Sequence, residues 1–116
     1  MNYTFDDEIA NKFSYDSKNK EIKVYFDNYY KNKVEFNSPC VLIIKKWNKA
    51  FSKLFGDEKF EPLEVYLGVF SIILNMEIRG DELKMSINTM DDRYLELLFV
   101  TPKISIKLDE THFSLN

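Results

Sequence analysis

Apolar and polar residues alternate along much of this chain, and period-two alternation marks strands that bury one face. Phe13 and Tyr15 alternate with polar neighbours, and Ile22, Val24 and Phe26 alternate with Lys23, Tyr25 and Asp27. The intervening Asp16-Ser17-Lys18-Asn19-Lys20 has turn chemistry, because Asp and Asn side chains bond nearby backbone and Asn tolerates positive φ. Pairing Tyr15 with Ile22 and Phe13 with Val24 keeps the apolar residues on one face and predicts a first hairpin. Cys40 to Ile44 is apolar at every position and rich in β-branched residues, which predicts a strand buried on both faces. The second face needs a cover. Trp47, Phe51, Leu54 and Phe55 fall at i, i+4, i+7 and i+8, the spacing of one helical face. A short amphipathic helix over about 46–55 is therefore expected, with Lys46, Lys49 and Lys53 elsewhere on its surface and Gly56 ending it.

Beyond Gly56-Asp57-Glu58 the alternation resumes. Val65, Leu67 and Val69 occupy odd positions, whereas Phe70, Ile72, Leu74, Met76 and Ile78 occupy even ones. A phase flip without a turn predicts a long strand bent near Gly68, passing between two sheets. A two-residue Gly80-Asp81 turn then pairs Ile78 with Leu83 and Met76 with Met85, and sets Glu77 opposite Lys84. Strands through Leu83–Ile87, Leu95–Phe99 and Ile104–Leu108 follow, so the second half of the chain is expected to be a four-stranded meander. From Asp109 onward the tail is expected to fray. Together these elements predict one domain over residues 1–116. It is mainly β, an antiparallel meander of about seven strands bent into a sandwich or half-barrel, with one short helix.

Composition supports a folded chain and narrows its chemistry. The 116 residues are 45% hydrophobic and include ten Phe and seven Tyr, far from the aromatic-poor composition of disordered segments. A net charge of −3 argues against a nucleic-acid partner, whose phosphates call for a basic surface. One cysteine excludes an intramolecular disulfide, the N-terminal stretch is acidic rather than apolar, and no apolar run is long enough to span a bilayer. These features point to a cytoplasmic protein without a membrane partner, and the wealth of Lys, Asn, Ile and Phe suggests an AT-rich bacterial genome.

Candidate chemistry is sparse. Arg79-Gly80-Asp81 spells an adhesion tripeptide, but the hairpin accounts for all three residues. Cys40 lacks a base, since the sole histidine is His112 in the tail, and a cysteine in an apolar strand behaves as a small hydrophobe. Asp109, Glu110 and His112 lack the fixed geometry of a metal site. Gly56, Gly68 and Gly80 are too far apart to cradle a phosphate. Adjacent acids in turns are solvated rather than tuned for acid–base work. No enzyme activity, cofactor or metal is therefore expected. What remains is surface. Asn75, Glu77, Lys84, Ser86, Asn88, Tyr94, Glu96, Ser105 and Lys107 should face away from the core, with Ile73 and Leu98 as apolar members of that face. The acids on two loop tips, Asp81-Glu82 and Asp91-Asp92, together with Tyr94, form the candidate partner-binding residues.

The layout resembles small bacterial immunity proteins of polymorphic-toxin systems. The resemblance rests on Pro39-Cys40-Val41-Leu42-Ile43-Ile44 followed by Trp47, and on Asp91-Asp92-Arg93-Tyr94 leading through Leu97, Phe99 and Pro102 to Ile104. It spans roughly two-thirds of the chain and carries over no functional residue. It implies a cytoplasmic, non-catalytic protein that binds and blocks a cognate protein toxin. Two other classes stay open: a homo-oligomeric structural or regulatory module, dimerising through a sheet edge or face, and a small-ligand-binding β-barrel.

Overall fold

A computed structural model describes residues 3–108. The fold is mainly β, with antiparallel pairing throughout, one four-residue helix, and a sheet that is not closed into a barrel. In chain order the strands are β1 (Tyr3–Thr4), β2 (Glu8–Asp16), β3 (Glu21–Phe26), β4 (Tyr29–Lys31), β5 (Val34–Phe36), β6 (Cys40–Lys45), β7 (Lys49–Leu54) and β8 (Glu61–Pro62). Helix α1 (Leu63–Tyr66) follows, then β9 (Phe70–Arg79), β10 (Glu82–Thr89), β11 (Tyr94–Val100) and β12 (Lys103–Leu108). Nine strands form one sheet in the order β12-β6-β3-β2-β9-β10-β11-β7-β8, and β1-β4-β5 form a small second sheet.

The large sheet bends at β2. Glu8 and Ile9 pair with β9, whereas Ala10 to Asp16 pair with β3, and an irregularity at Asn11 separates the two stretches. A bulge of this kind lets one strand serve two layers. The other corner lies where β6 leads to β7 and β11 leads to β12. Asn48 N–H donates to the Val100 carbonyl there at 2.9 Å, and Lys46 and Thr101 adopt positive φ. Between the layers sits the core: Ile22, Val24, Phe26, Leu42 and Ile44 from one side, and Phe70, Ile73, Leu83, Ile87, Leu95, Leu97 and Phe99 from the other, all buried. Phe13 stacks on Phe70 at 4.9 Å and Trp47 tilts against Phe99 at 5.1 Å. Such pairs add to the area they remove from water.

Both expected hairpins form in the expected register. Tyr15 pairs with Ile22, Phe13 with Val24, Ile78 with Leu83 and Met76 with Met85. Gly80 has φ +63 while Asp81 does not have positive φ, the pattern of a type II′ turn. Two details differ. In the first turn Lys20, not Asn19, takes positive φ, because Asn19 is engaged with Asp16: its backbone N–H donates to Oδ1 at 3.1 Å and its amide to Oδ2 at 2.7 Å. In the second hairpin Glu77 lies opposite Lys84 as expected, but its carboxylate accepts from Arg79.

The helix expected over about 46–55 is instead strand β7, and the one helix lies at Leu63–Tyr66. The i, i+4, i+7 spacing was coincidental. Trp47 is buried in the corner, but Phe55 is 71% exposed. Ala50, Ser52 and Leu54 turn inward, opposite Phe99, Leu97 and Leu95 of β11. Small inward residues make a faint period-two signal, and buried Ser52 is tolerated because its hydroxyl donates to the Leu63 carbonyl at 2.9 Å.

The long strand expected to bend near Gly68 does not form, and β9 begins only at Phe70. Val65 lies in α1, Leu67 to Val69 connect it to β9, and two further irregularities within β9 turn Ile73, rather than Ile72 or Leu74, into the core. Ile73 is fully buried and so leaves the outer face to which it was assigned. The meander holds for β9, β10 and β11, but β12 crosses to pair with β6. Strand β6 is buried on one face only: Cys40, Leu42 and Ile44 point inward, while Val41 and Ile43 line an open groove. The segment from Asp109 onward, with Asp109, Glu110 and His112, lies outside the described residues.

Candidate functional site

The five candidate residues do not form one site. Asp81-Glu82 and Asp91-Asp92 cap opposite ends of β10, roughly 25 Å apart at 3.3 Å per residue. At the first end, the Asp81 backbone carbonyl accepts from Thr101 N–H at 2.7 Å, and no side-chain hydrogen bond of Asp81 or Glu82 is formed among the described residues. Asp81 is an exposed turn residue, and Glu82 is the half-buried first residue of β10.

The second end is built from side chains. Thr89, at the close of β10, is buried. Its backbone N–H donates to the Arg93 carbonyl at 2.9 Å, its hydroxyl donates to Asp91, and its Oγ1 accepts from Arg93 N–H at 3.0 Å. Arg93 then reaches across the loop. Its Nε donates to Asp91 Oδ2 at 2.7 Å and its Nη1 to the Tyr66 carbonyl at 2.8 Å. The guanidinium passes over Gly68, where a Cβ would lie 2.5 Å from Nη2. A side chain at Gly68 would displace this guanidinium from its bonds, so the glycine is favoured by a close approach and not by its φ. The bond from Thr89, helped by that from Arg93, holds the Asp91 carboxyl below the usual carboxylate range. Asp92, at φ +61, accepts from the Asn88 amide at 3.3 Å. Asp91 is therefore part of the loop's framework, which leaves Asp92 as the freer of the two acids.

Around this loop stand apolar residues that the sequence did not single out. The Val69 carbonyl accepts from Met90 N–H, and the Tyr94 carbonyl from Phe55 N–H, each at 2.9 Å. Backbone bonds thus place Val69 beside Met90 and Tyr94 beside Phe55, a row of two neighbouring pairs at one end of the β9-β10-β11-β7 sheet. They are 52%, 68%, 53% and 71% exposed. Tyr94 was a candidate from the start. Phe55 was hidden by its place in an apparent helical stripe, and Met90 by its place in a loop. Exposed acids border the row at Asp57, Glu58 and Asp92.

A second feature lies on the outer face of the β12-β6-β3-β2 layer. Val41, Ile43 and Tyr25 floor an open groove of about 360 Å³ between Lys23 and Lys107. Cys40 belongs to the strand beneath it but is 1% exposed, and burial pushes its thiol up to about 12, the state of an inert core thiol.

No protein-family model, curated protein or solved structure matches this chain. Among the described residues no group of three or more His, Cys, Asp or Glu is placed to hold a metal ion, and no helix is long and apolar enough to cross a membrane.

Proposed function

We propose that this chain acts by contact, as a protein-binding module, and that it is an immunity protein that holds a cognate toxin against the β9–β10–β11–β7 end. The observation that supports this reading is the exposure of Val69 with its neighbour Met90, and of Tyr94 with its neighbour Phe55, at one end of the sheet. A folded chain gains nothing in stability from presenting Phe and Met to water, and large apolar residues grouped on a surface mark a partner's footprint. Tyr94 adds rigid area with a polar tip. Asp57, Glu58 and Asp92 at the border would steer a basic partner onto it. Asp81 and Glu82 fall outside this footprint.

The same row is also the observation that favours the alternative of a homo-oligomer, in which a second copy covers it. The barrel alternative is weaker. The sheet is not closed and its interior is filled by the core, so a small ligand would have to use the outer groove. The test is rescue of growth. If the neighbouring gene encodes a toxin, cells expressing it should survive when the chain is co-expressed and should die with Phe55→Glu/Tyr94→Ala, provided that variant folds. Equal protection by parent and variant would reject the footprint, and no protection by either would reject the immunity role.

A further inference from the structure

The two edges of the large sheet are treated differently. Strand β8 has two residues and runs through Pro62 straight into α1. That edge is short, carries a residue without an N–H, and is closed by a helix, the usual ways of protecting an edge. Strand β12 has six residues, all paired with β6 on one side, and no described strand pairs with its other side. A strand of this length leaves a ladder of N–H and C=O groups open.

The side chains of β12 specify what could complete that ladder. Lys103, Ser105 and Lys107 are exposed on the outer face, while Ile104, Ile106 and Leu108 are half-buried and pack on the core. The outer face of this layer is basic next to β12 and turns acidic at Glu21 and Asp16, across the layer. Lys103 pairs with Lys45, and the row Lys107–Val41–Tyr25–Lys12 has a lysine at each end. On the inner side Ile104 borders an open cleft of about 280 Å³ together with Pro102 and Ile78, the last 46% exposed.

We propose that β12 accepts an extended peptide segment of alternating acidic and apolar residues as an added strand. Opposed side chains in neighbouring strands share a face. Acids on the outer side would therefore meet Lys103 and Lys107, and apolar side chains on the inner side would cover Ile104, Ile106 and Ile78. Backbone bonds would supply affinity, and the alternating pattern would supply specificity. A second copy is a poor occupant. Symmetric, sheet-continuing pairing centred on Ser105 sets Lys103 opposite the copy's Lys107 twice, and like charges directly opposite destabilise a ladder. Lysines on an edge also repel unwanted strands, and that role alone predicts no peptide binding at all. This surface is separate from the Tyr94 row, so the two can fail independently.

The test uses the full chain and two fluorescent heptapeptides, Glu-Val-Glu-Ile-Glu-Val-Glu and the same sequence with Lys for every Glu. Anisotropy should show saturable binding of the acidic peptide and binding about tenfold or more weaker for the basic one. Amide signals of residues 103–108 should shift and gain exchange protection. Lys103→Glu with Lys107→Glu changes exposed side chains only, and should reverse the preference in a variant of unchanged circular dichroism. Equal binding of both peptides, binding of neither, an unaltered preference in the variant, or protection of residues 103–108 by self-association in sedimentation would each overturn the proposal.

Discussion

The two ends of β10 carry the same sequence feature, a pair of adjacent acids, yet they are different objects. At Gly80-Asp81 the backbone makes the turn, with Asp81 exposed and Glu82 half-buried at the start of β10. At Thr89–Arg93 side chains make the loop: Thr89, Asp91 and Arg93 bond one another, and Arg93 ties the loop to the carbonyl that ends α1. Charge alone does not separate these ends. What separates them is the amount of exposed apolar surface: Val69, Met90, Tyr94 and Phe55 stand beside the second, and Ile78 beside the first. Apolar residues that the fold leaves exposed, rather than acidic pairs, are therefore the basis of the proposed contact surface.

The comparison breaks most readily at Arg93. Arg93→Ala removes the bond to Tyr66 and the ion pair with Asp91, and should lower stability by about 2–3 kcal/mol. A denaturant midpoint equal to the parent's would mean the loop is not held by side chains. At the opposite end, Gly80→Val should cost about 1–2 kcal/mol. A Cβ there meets nothing within 4 Å, so only the left-handed backbone is penalised. Gly68→Ala sharpens the contrast. It should cost about 1–2 kcal/mol alone, yet almost nothing in an Arg93→Ala background, because the clash is with that guanidinium. Equal costs in both backgrounds would place the strain elsewhere.

Much of the fold was legible in the sequence. Wherever a hairpin had large apolar residues on its inner face, as at Phe13, Tyr15, Ile22 and Val24, period two gave both strands and register. Reading failed where the inner face is small. Ala50 and Ser52 offered no strand signal, so Trp47, Phe51 and Phe55 imitated a helix. It failed also where irregular backbone shifts the phase within a strand, as when Ile73 replaces Ile72 and Leu74 in the core. The hairpin of β4 and β5 was not foreseen, although Asn32 and Lys33, both at positive φ, make its type I′ turn. Of the candidate site, Tyr94 was readable as an outward aromatic. Asp81-Glu82 and Asp91-Asp92 were joined in one candidate surface, although successive turns of a meander point to opposite ends and so part them.

Smaller effects concern pH and thiol access. The Cys40 thiol, by burial, is pushed up to about 12, and so is the Tyr15 phenol, by burial and by donating to Glu64 at 2.7 Å. The ordinary values are 9.0 and 10.0. Folding holds both groups neutral where the unfolded chain ionises. Their contribution is therefore complete below about pH 9 and is lost as pH rises towards 12. Denaturant midpoints taken from about pH 8 to pH 11 should fall, and Tyr15→Phe should lessen the fall. Cys40 should react slowly with a thiol reagent in native protein and rapidly in denaturant. Fast native labelling would contradict its place in β6. Asp81→Lys should change stability by less than about 0.5 kcal/mol.

The central claim is that the Val69–Met90–Tyr94–Phe55 row, and not the acidic turn at the far end of β10, is the contact surface. Titration calorimetry against the purified product of the neighbouring gene, the proposed partner, tests it most directly. Three proteins of matched circular dichroism are needed: the parent, Phe55→Glu/Tyr94→Ala and Asp81→Lys/Glu82→Lys. Loss of two central aromatic contacts should weaken binding by about a hundredfold or more, while the far-end charge reversal leaves affinity within about threefold of the parent. Affinity that falls with Asp81→Lys/Glu82→Lys and survives Phe55→Glu/Tyr94→Ala would contradict the account.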